Sequence, residues 1–413
     1  MHFELMPRTE PGRRFTALAE EHATVFAGRA AKHDGDNSFP LENIQDMKRS
    51  GAMLATLPTE MGGLGLDSLH DLVVGINRIG RGDGSTGLAV AMHLVRVWGL
   101  ARSWQIATRV NIPSVTAAEE RWLRRVAGGD VIATVVSEPG SDLLHPLTEA
   151  VRADKGWRVN GRKAFATGSP AAQLLGIHCV IRAEDGQHEV ARAYVASDAP
   201  GVEIADNWDA LGMRASGSHD VIFRDCFVPD SDLVVTGRWG DFTDSFLAGN
   251  LVAVLGQSAV FLSIGEVAHQ ETIEMAQTKR RGASRRLLGE HHSIQRIAAE
   301  NEIDLAACRA VLERASKAAD RMFAENLDGR APMDVSHRAM KDMQCAKWFV
   351  MRYAVTIVDR ALTCSGGSGY LSKNRLSRLY RDVRAGQFMQ PFSPIEAFEY
   401  IGKVALGLNP MPE

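Results

Sequence analysis

The sequence predicts an α+β chain, mostly α. A helical N-terminal part (residues 1–128), a small β-rich middle (129–237) and a C-terminal helical bundle (238–413) follow one another. Three observations predict this order. Helical periodicity, broken by one glycine-rich loop, fills the first part. The middle switches to short β-branched and aromatic runs bounded by Gly, Pro, Asp and Asn. The last part returns to apolar residues spaced three and four apart.

The first helical region spans about residues 12–128 and is interrupted at 57–67, LPTEMGGLGLD, where glycines and Pro58 disfavour helix. Strands are predicted at 131–136, 157–159, 174–181, 192–195 and 221–223. Asn160-Gly161 predicts a tight hairpin turn, because both positions of such a turn need positive φ. After Pro229 the strands are expected to stop. Ile294, Ile297, Leu305, Cys308, Leu312, Ala315, Ala319 and Met322 mark one buried helical face, and a second long helix is expected over 338–365. Residues 245–265 carry no charge and are long enough to span a bilayer. Asn250, Gln257 and several serines and glycines within them favour a buried core helix instead.

Bulk properties narrow the function classes. The 413 residues are 45% hydrophobic and 23% charged, enough for a large core. A net charge of −3 gives no basic surplus for nucleic acid or an anionic membrane. Cys179, Cys226, Cys308, Cys345 and Cys364 form no CxxC pair, which predicts a reduced, cytoplasmic protein with no structural metal. The first residues, MHFELMPRTEPGRRF, carry acids and prolines ahead of any apolar run, unlike a signal peptide.

Five motifs carry the chemistry. They are Ser137-Glu138-Pro139-Gly140-Ser141-Asp142 after the first strand; GRKAFATG at 161–168; LGMRASGS at 211–218, followed by a strand and Val228-Pro229; Arg281 with His292 and Gln295; and Gly366-Gly367-Ser368-Gly369-Tyr370 leading to Arg378 and Arg381-Asp382. In this order they resemble the acyl-CoA dehydrogenase family over nearly the whole chain. The resemblance implies that family's fold, with a four-helix bundle at the C-terminus, and an FAD cofactor. It places Thr134, Val136, Ser137 and Ser141 along the flavin, with Phe165 against the isoalloxazine and Thr167 near the atom that accepts hydride. It puts Arg281 on the flavin pyrophosphate and His292 where the family has the first glutamine of Gln-x-x-Gln. Gly366 and Gly367 would approach the FAD of a neighbouring subunit, so a homodimer or homotetramer is implied.

The departures matter as much. The family's Phe-Gly after the arginine is Ser284-Arg285 here, and its catalytic Glu-Gly-Thr is Gln390-Pro391-Phe392. A glutamine amide cannot accept a carbon-bound proton near neutral pH. Some family members carry the base on the helix that opens the C-terminal bundle, and residues 245–265 hold no acid there either. Glu396, Glu399 and His93 are not assigned proton transfer.

Three readings follow. The first is FAD-dependent oxidation of an acyl thioester, on coenzyme A or an acyl carrier protein, with the base relocated or absent; its electron acceptor would be an electron-transfer flavoprotein or O2. The second is a flavin-dependent oxygenase or oxidase of the same fold, for which the lost glutamate is expected. The third is a non-catalytic FAD-binding subunit of a heteromeric dehydrogenase.

Overall fold

The computed structural model describes residues 4–281, 285–329 and 331–410. Five helices come first: α1 (Glu10–Asp36), α2 (Leu41–Ser50), α3 (Leu69–Gly82), α4 (Gly84–Arg109) and α5 (Pro113–Ala127). The starts of α1, α3 and α4 are set by side chains that satisfy unpaired amides of the first turn. Thr9 caps α1, Ser68 caps α3, and Asp83 accepts from the Thr86 amide at the start of α4.

The middle of the chain forms one eight-stranded sheet. Its strands are β1 (Ile132–Val135), β2 (Glu149–Ala153), β3 (Gly156–Ala166), β4 (Leu174–Ile181), β5 (Glu189–Ala196), β6 (Val202–Ile204), β7 (His219–Pro229) and β8 (Leu233–Arg238). The order is β6-β7-β3-β2-β4-β5-β8, with β1 paired in parallel to β4.

Two sequence expectations are corrected here. Strand β8 follows Pro229 and pairs with β5, so strands do not stop at that proline. Asn160-Gly161 is not a turn: both residues lie inside β3. The two-residue turn is Asp154-Lys155, since Ala153 faces Gly156 across the β2–β3 pair and Lys155 takes φ 57°. Asn160-Gly161 instead forms a bulge where the β3–β7 register shifts, with the Asn160 side chain accepting from the Asp225 amide at 2.7 Å. A Cβ on Gly161 would lie 2.4 Å from Thr148 Oγ1, so the glycine serves a close approach rather than a hairpin.

The chain returns to helix in α6 (Asp244–Thr278). A two-stranded ribbon, β9 (Arg280–Arg281) and β10 (Arg286–Leu287), leads to α7 (His292–Glu325), α8 (Met333–Ser365), α9 (Arg375–Val383) and α10 (Pro394–Ala405). Helix α6 is long and apolar enough to cross a membrane, but 89% of its most apolar window is buried within the protein. It packs against α3, α4, α7 and α8 as the central core helix. Ile294, Leu305, Cys308, Leu312, Ala315, Ala319 and Met322 form the buried face of α7.

Candidate active site

Helices α4 and α6 meet the ends of β1 and β3 around one cavity of about 820 Å³. Thr134, Val136, Ser137, Ser141, Phe165, Thr167 and Gln390 all line it. Arg281, His292, Gly366 and Gly367 are not among its lining residues. The backbone of Arg281 belongs to β9, and its side chain lies outside the described residues. His292 is exposed at the start of α7, and the two glycines are exposed in the turn after α8. Ser284 lies outside the described residues.

Strand β1 and the motif after it are anchored by a buried ion pair. Lys163 and Glu138 are 0% and 3% exposed and 2.9 Å apart. Lys163 Nζ also donates to the Val136 carbonyl at 3.3 Å, and the Ala164 amide donates to the Ser137 carbonyl at 2.9 Å. Glu138 accepts further from the Leu147 and Thr148 amides and the Thr148 hydroxyl. These bonds and the nearby ammonium hold its carboxyl below the ordinary range, against the opposing effect of burial. Glu138 is therefore structural. The Ser137 hydroxyl has no partner among the described residues and remains a free donor at the cavity wall.

Phe165 sits at φ 57° and is 64% exposed, an unusual position for an aromatic ring in a strand. Its edge meets Trp208 at 5.9 Å, leaving a flat face for a ring-shaped ligand. Beside it, Thr167 Oγ1 lies 2.9 Å from Ser218 Oγ, which lies 2.7 Å from Ser216 Oγ. Ser216 and Ser218 thus form a buried hydroxyl chain ending at Thr167.

The third and fifth motifs lock together below this site. The Met213 amide donates to Asp382 Oδ1 at 2.6 Å, and a Cβ on Gly212 would lie 2.2 Å from the Arg381 carbonyl. Arg381 is held in turn by Asp34 at 2.9 Å. Burial pushes the Asp382 carboxyl up to about 7, with the Met213 bond opposing it.

The segment in place of the family's base is tied down by two side chains. Gln257 Nε2 on α6 donates to the Gln390 carbonyl at 2.8 Å. Lys347 on α8 is fully buried and directs its ammonium to the carbonyls of Met389, Pro391 at 3.0 Å and Phe392 at 3.3 Å. Four consecutive carbonyls are thereby satisfied. Neither Gln257 nor Lys347 stands out as a site residue in the sequence, although Lys347 interrupts the apolar stripe Met340, Met343, Val350, Met351 and Ala354 of α8. A charged residue on such a stripe is the available signal.

The remaining candidate acids and bases are engaged elsewhere. His93 is buried; its Nε2 donates to the Met53 carbonyl and its Nδ1 accepts from the Ile132 amide, which keeps it neutral, and burial lowers it to about 4. Glu396 caps α10 by accepting from the Ser393 amide, and Glu399 pairs with Lys403. Glu138 and Asp244 are the carboxylates among the cavity-lining residues, and Asp244 accepts from the Ser336 hydroxyl. Arg96, Arg102, Arg192, Arg381 and Arg384 line the same cavity. Arg192 and Arg381 have carboxylate partners in Glu119 and Asp34. Arg96, Arg102 and Arg384 form no ion pair among the described residues.

Comparison with known proteins agrees with this architecture. Family profiles described as the N-terminal, middle and C-terminal domains of acyl-CoA dehydrogenase match residues 13–103, 133–226 and 255–394. The amino sugar nitrososynthase RubN8 of Streptomyces rubradiris is 33% identical, over 97% of this chain and 91% of its own length. Among solved structures, KijD3 in complex with FMN and dTDP-3-amino-2,3,6-trideoxy-4-keto-3-methyl-D-glucose superposes with a TM-score of 0.88 at 31% identity, covering 98% of this chain and 95% of that one. A nitrososynthase from Micromonospora carbonacea var. africana gives 0.89 at 34% identity, covering 99% and 100%. With the Ser137, Phe165 and Met213 motifs lining one cavity and the base position filled by Gln390, the chain belongs to the acyl-CoA dehydrogenase family as a divergent member.

Proposed function

We propose that this protein is a flavin-dependent oxygenase that oxidises an amine nitrogen with reduced flavin and O2. The carrying observation is that both carboxylates on the cavity wall are already committed, Glu138 to Lys163 and Asp244 to Ser336, while Gln390 stands in place of one family base and residues 245–265 of α6 hold no acid that could serve as the other. Removal of an α-proton from a thioester needs a free base there. Oxidation of an amine does not, because the nitrogen lone pair is itself the nucleophile. Kinship with nitrososynthases supports the same choice over thioester dehydrogenation.

The residues fit a flavin. Phe165 offers a ring face, Ser137 a free hydroxyl, and Thr167 the end of a hydroxyl chain. Thr134, Val136 and Ser141 complete that wall, and Gly366 and Gly367, with Arg281 and His292, are proposed to serve the flavin of a second copy. Bound reduced flavin would supply two electrons to O2, so that one oxygen atom joins nitrogen and the other leaves as water. The chain's own part is to hold the amine neutral. Val95, Val252, Ala253 and the amides of Gln257 and Gln390 surround the reacting end, and such desolvation favours an uncharged amine.

The test begins with purified protein loaded with flavin, its identity as FAD or FMN read from the denatured extract. Reduced externally under anaerobic conditions and then mixed with O2 and an amino sugar nucleotide, it should yield a product one oxygen atom heavier. Bleaching of the oxidised flavin by acyl-CoA thioesters without added reductant would overturn the proposal.

A further inference from the structure

Charge along the sheet side of the cavity is cancelled almost everywhere. Residues paired across neighbouring strands share a face, so Thr134 on β1, Gly176 and His178 on β4, and Arg192 and Tyr194 on β5 lie side by side. Lys163 is neutralised by Glu138, and Arg192 by Glu119. His178 Nε2 lies 2.9 Å from the Leu143 carbonyl, and because a carbonyl only accepts, this nitrogen carries the proton. Burial lowers His178 to about 4, with Lys163 and Arg96 pushing the same way, so its imidazole is neutral.

Arg96 breaks the balance. It is half-buried on α4, and its Nε donates to Thr134 Oγ1 at a long 3.4 Å. No carboxylate pairs with it, and Nη1 and Nη2 have no partner among the described residues. Gly176 makes room for the group: a Cβ there would lie 3.8 Å from Arg96 Nε and 3.2 Å from the Tyr194 ring. The cavity's other unpaired cations turn elsewhere. Arg102 donates to the carbonyls of Phe323 and Asn326 at 3.1 and 2.7 Å, where α7 ends, and Arg384 belongs to the turn before Gln390.

Holding a lone charge away from water costs free energy, and a partner that becomes negative offsets that cost. Thr134, which Arg96 touches, belongs to the wall that fits a flavin. When the neutral oxidised ring takes two electrons from an external reductant and one proton from water, one negative charge remains on it. Cationic charge close to the ring favours that state.

We propose that Arg96 stabilises the negative charge of reduced flavin, so that the protein holds the reduced ring more tightly than the oxidised one. This rests on the flavin fit of the wall and not on the choice of an amine as substrate.

The experiment loads wild type, Arg96→Met, Arg96→Lys and Arg102→Met with the flavin found in the extract, FMN or FAD, and uses no substrate. Midpoint potentials are read at pH 8 against a redox dye. Sulfite affinity is read in parallel: the sulfur lone pair bonds to the oxidised ring, leaves negative charge on it and bleaches its absorbance. Arg96→Met should weaken sulfite binding about tenfold and lower the potential by about 30 mV, the two-electron equivalent. Arg96→Lys keeps the charge and should recover most of both. Arg102→Met removes the same charge from elsewhere in the cavity and should change each by less than twofold in equilibrium constant. One measurement needs no variant: wild type should bind the reduced flavin at least tenfold more tightly than the oxidised form.

Equal sulfite affinity in wild type and Arg96→Met, an Arg96→Lys as weak as Arg96→Met, an equal effect from Arg102→Met, or a wild type that holds both flavin states alike would overturn the role of Arg96. Potentials that depend on Arg96, without any amine oxidation, would uphold it and sink the oxygenase reading. Amine oxidation with potentials indifferent to Arg96 would do the reverse, and a wild type that binds neither flavin would overturn both.

Discussion

The side-chain amide of Gln257 donates to the backbone carbonyl of Gln390 at 2.8 Å, tying helix α6 to the residue that stands in place of the family's catalytic glutamate. With Lys347 holding the carbonyls on either side, Gln390 sits between a neutral amide and a buried ammonium. A carboxylate introduced there would be stabilised in its charged form and made a weaker base. Gln390→Glu is therefore expected to keep its flavin and to show no bleaching by acyl-CoA thioesters in anaerobic spectra. Thioester-dependent bleaching by this variant would mean that the segment still presents a dehydrogenase geometry.

Lys347 gives a pH signature. Burial pushes its ammonium down to about 7, against a partly compensating pull from Glu396. An unfolded lysine titrates near 10.4. Between these values the unfolded chain binds more protons than the folded one, so stability from this group rises with pH. Its penalty is fully present below about pH 7 and is relieved toward pH 10. Urea unfolding of wild type and Lys347→Met across this range should give a stability difference that shifts in favour of the wild type as pH rises. A difference flat with pH would mean that Lys347 is not buried as a charge.

The Lys163–Glu138 pair makes a stability prediction. Glu138→Gln leaves a buried ammonium with its carboxylate partner gone, which typically costs about 3–5 kcal/mol. Denaturant midpoints should fall accordingly, and the Ser137 segment should become accessible to proteases. Lys163→Met in the same background should recover part of the loss, because it removes the stranded charge.

Phe165 separates binding from folding. Its exposed ring contributes little to the core, so Phe165→Ala should leave the unfolding midpoint nearly unchanged. Loss of ring stacking should weaken flavin binding by about tenfold, equivalent to about 1.4 kcal/mol. Flavin release on dilution, followed by fluorescence, reads this directly.

Much of the architecture was legible because it is written in local pattern. The buried stripe of α7 and the uncharged run of α6 each specify a face or a degree of burial without reference to distant residues. The cavity wall from Thr134 to Thr167 was legible through motif order. What escaped depends on contacts between remote segments. Asn160-Gly161 has hairpin chemistry, but β7 pairs across it and Thr148 crowds it, so tertiary contacts convert the dipeptide into a bulge. Gln257 and Lys347 reach residues more than 40 positions away, and no local spacing announces that. Arg96 is ordinary in sequence and gains meaning only when β1 sets Thr134 beside it.

The cavity of about 820 Å³ has a further bearing on the whole molecule. Its walls come from α4, from the sheet, from α6 and from the turn before Gln390, so all three parts of the chain bound it. Whatever fills it touches every region at once and should act as a keystone. Flavin binding is then expected to raise the melting temperature of the entire chain in a single transition that moves with flavin concentration, rather than to firm up one segment.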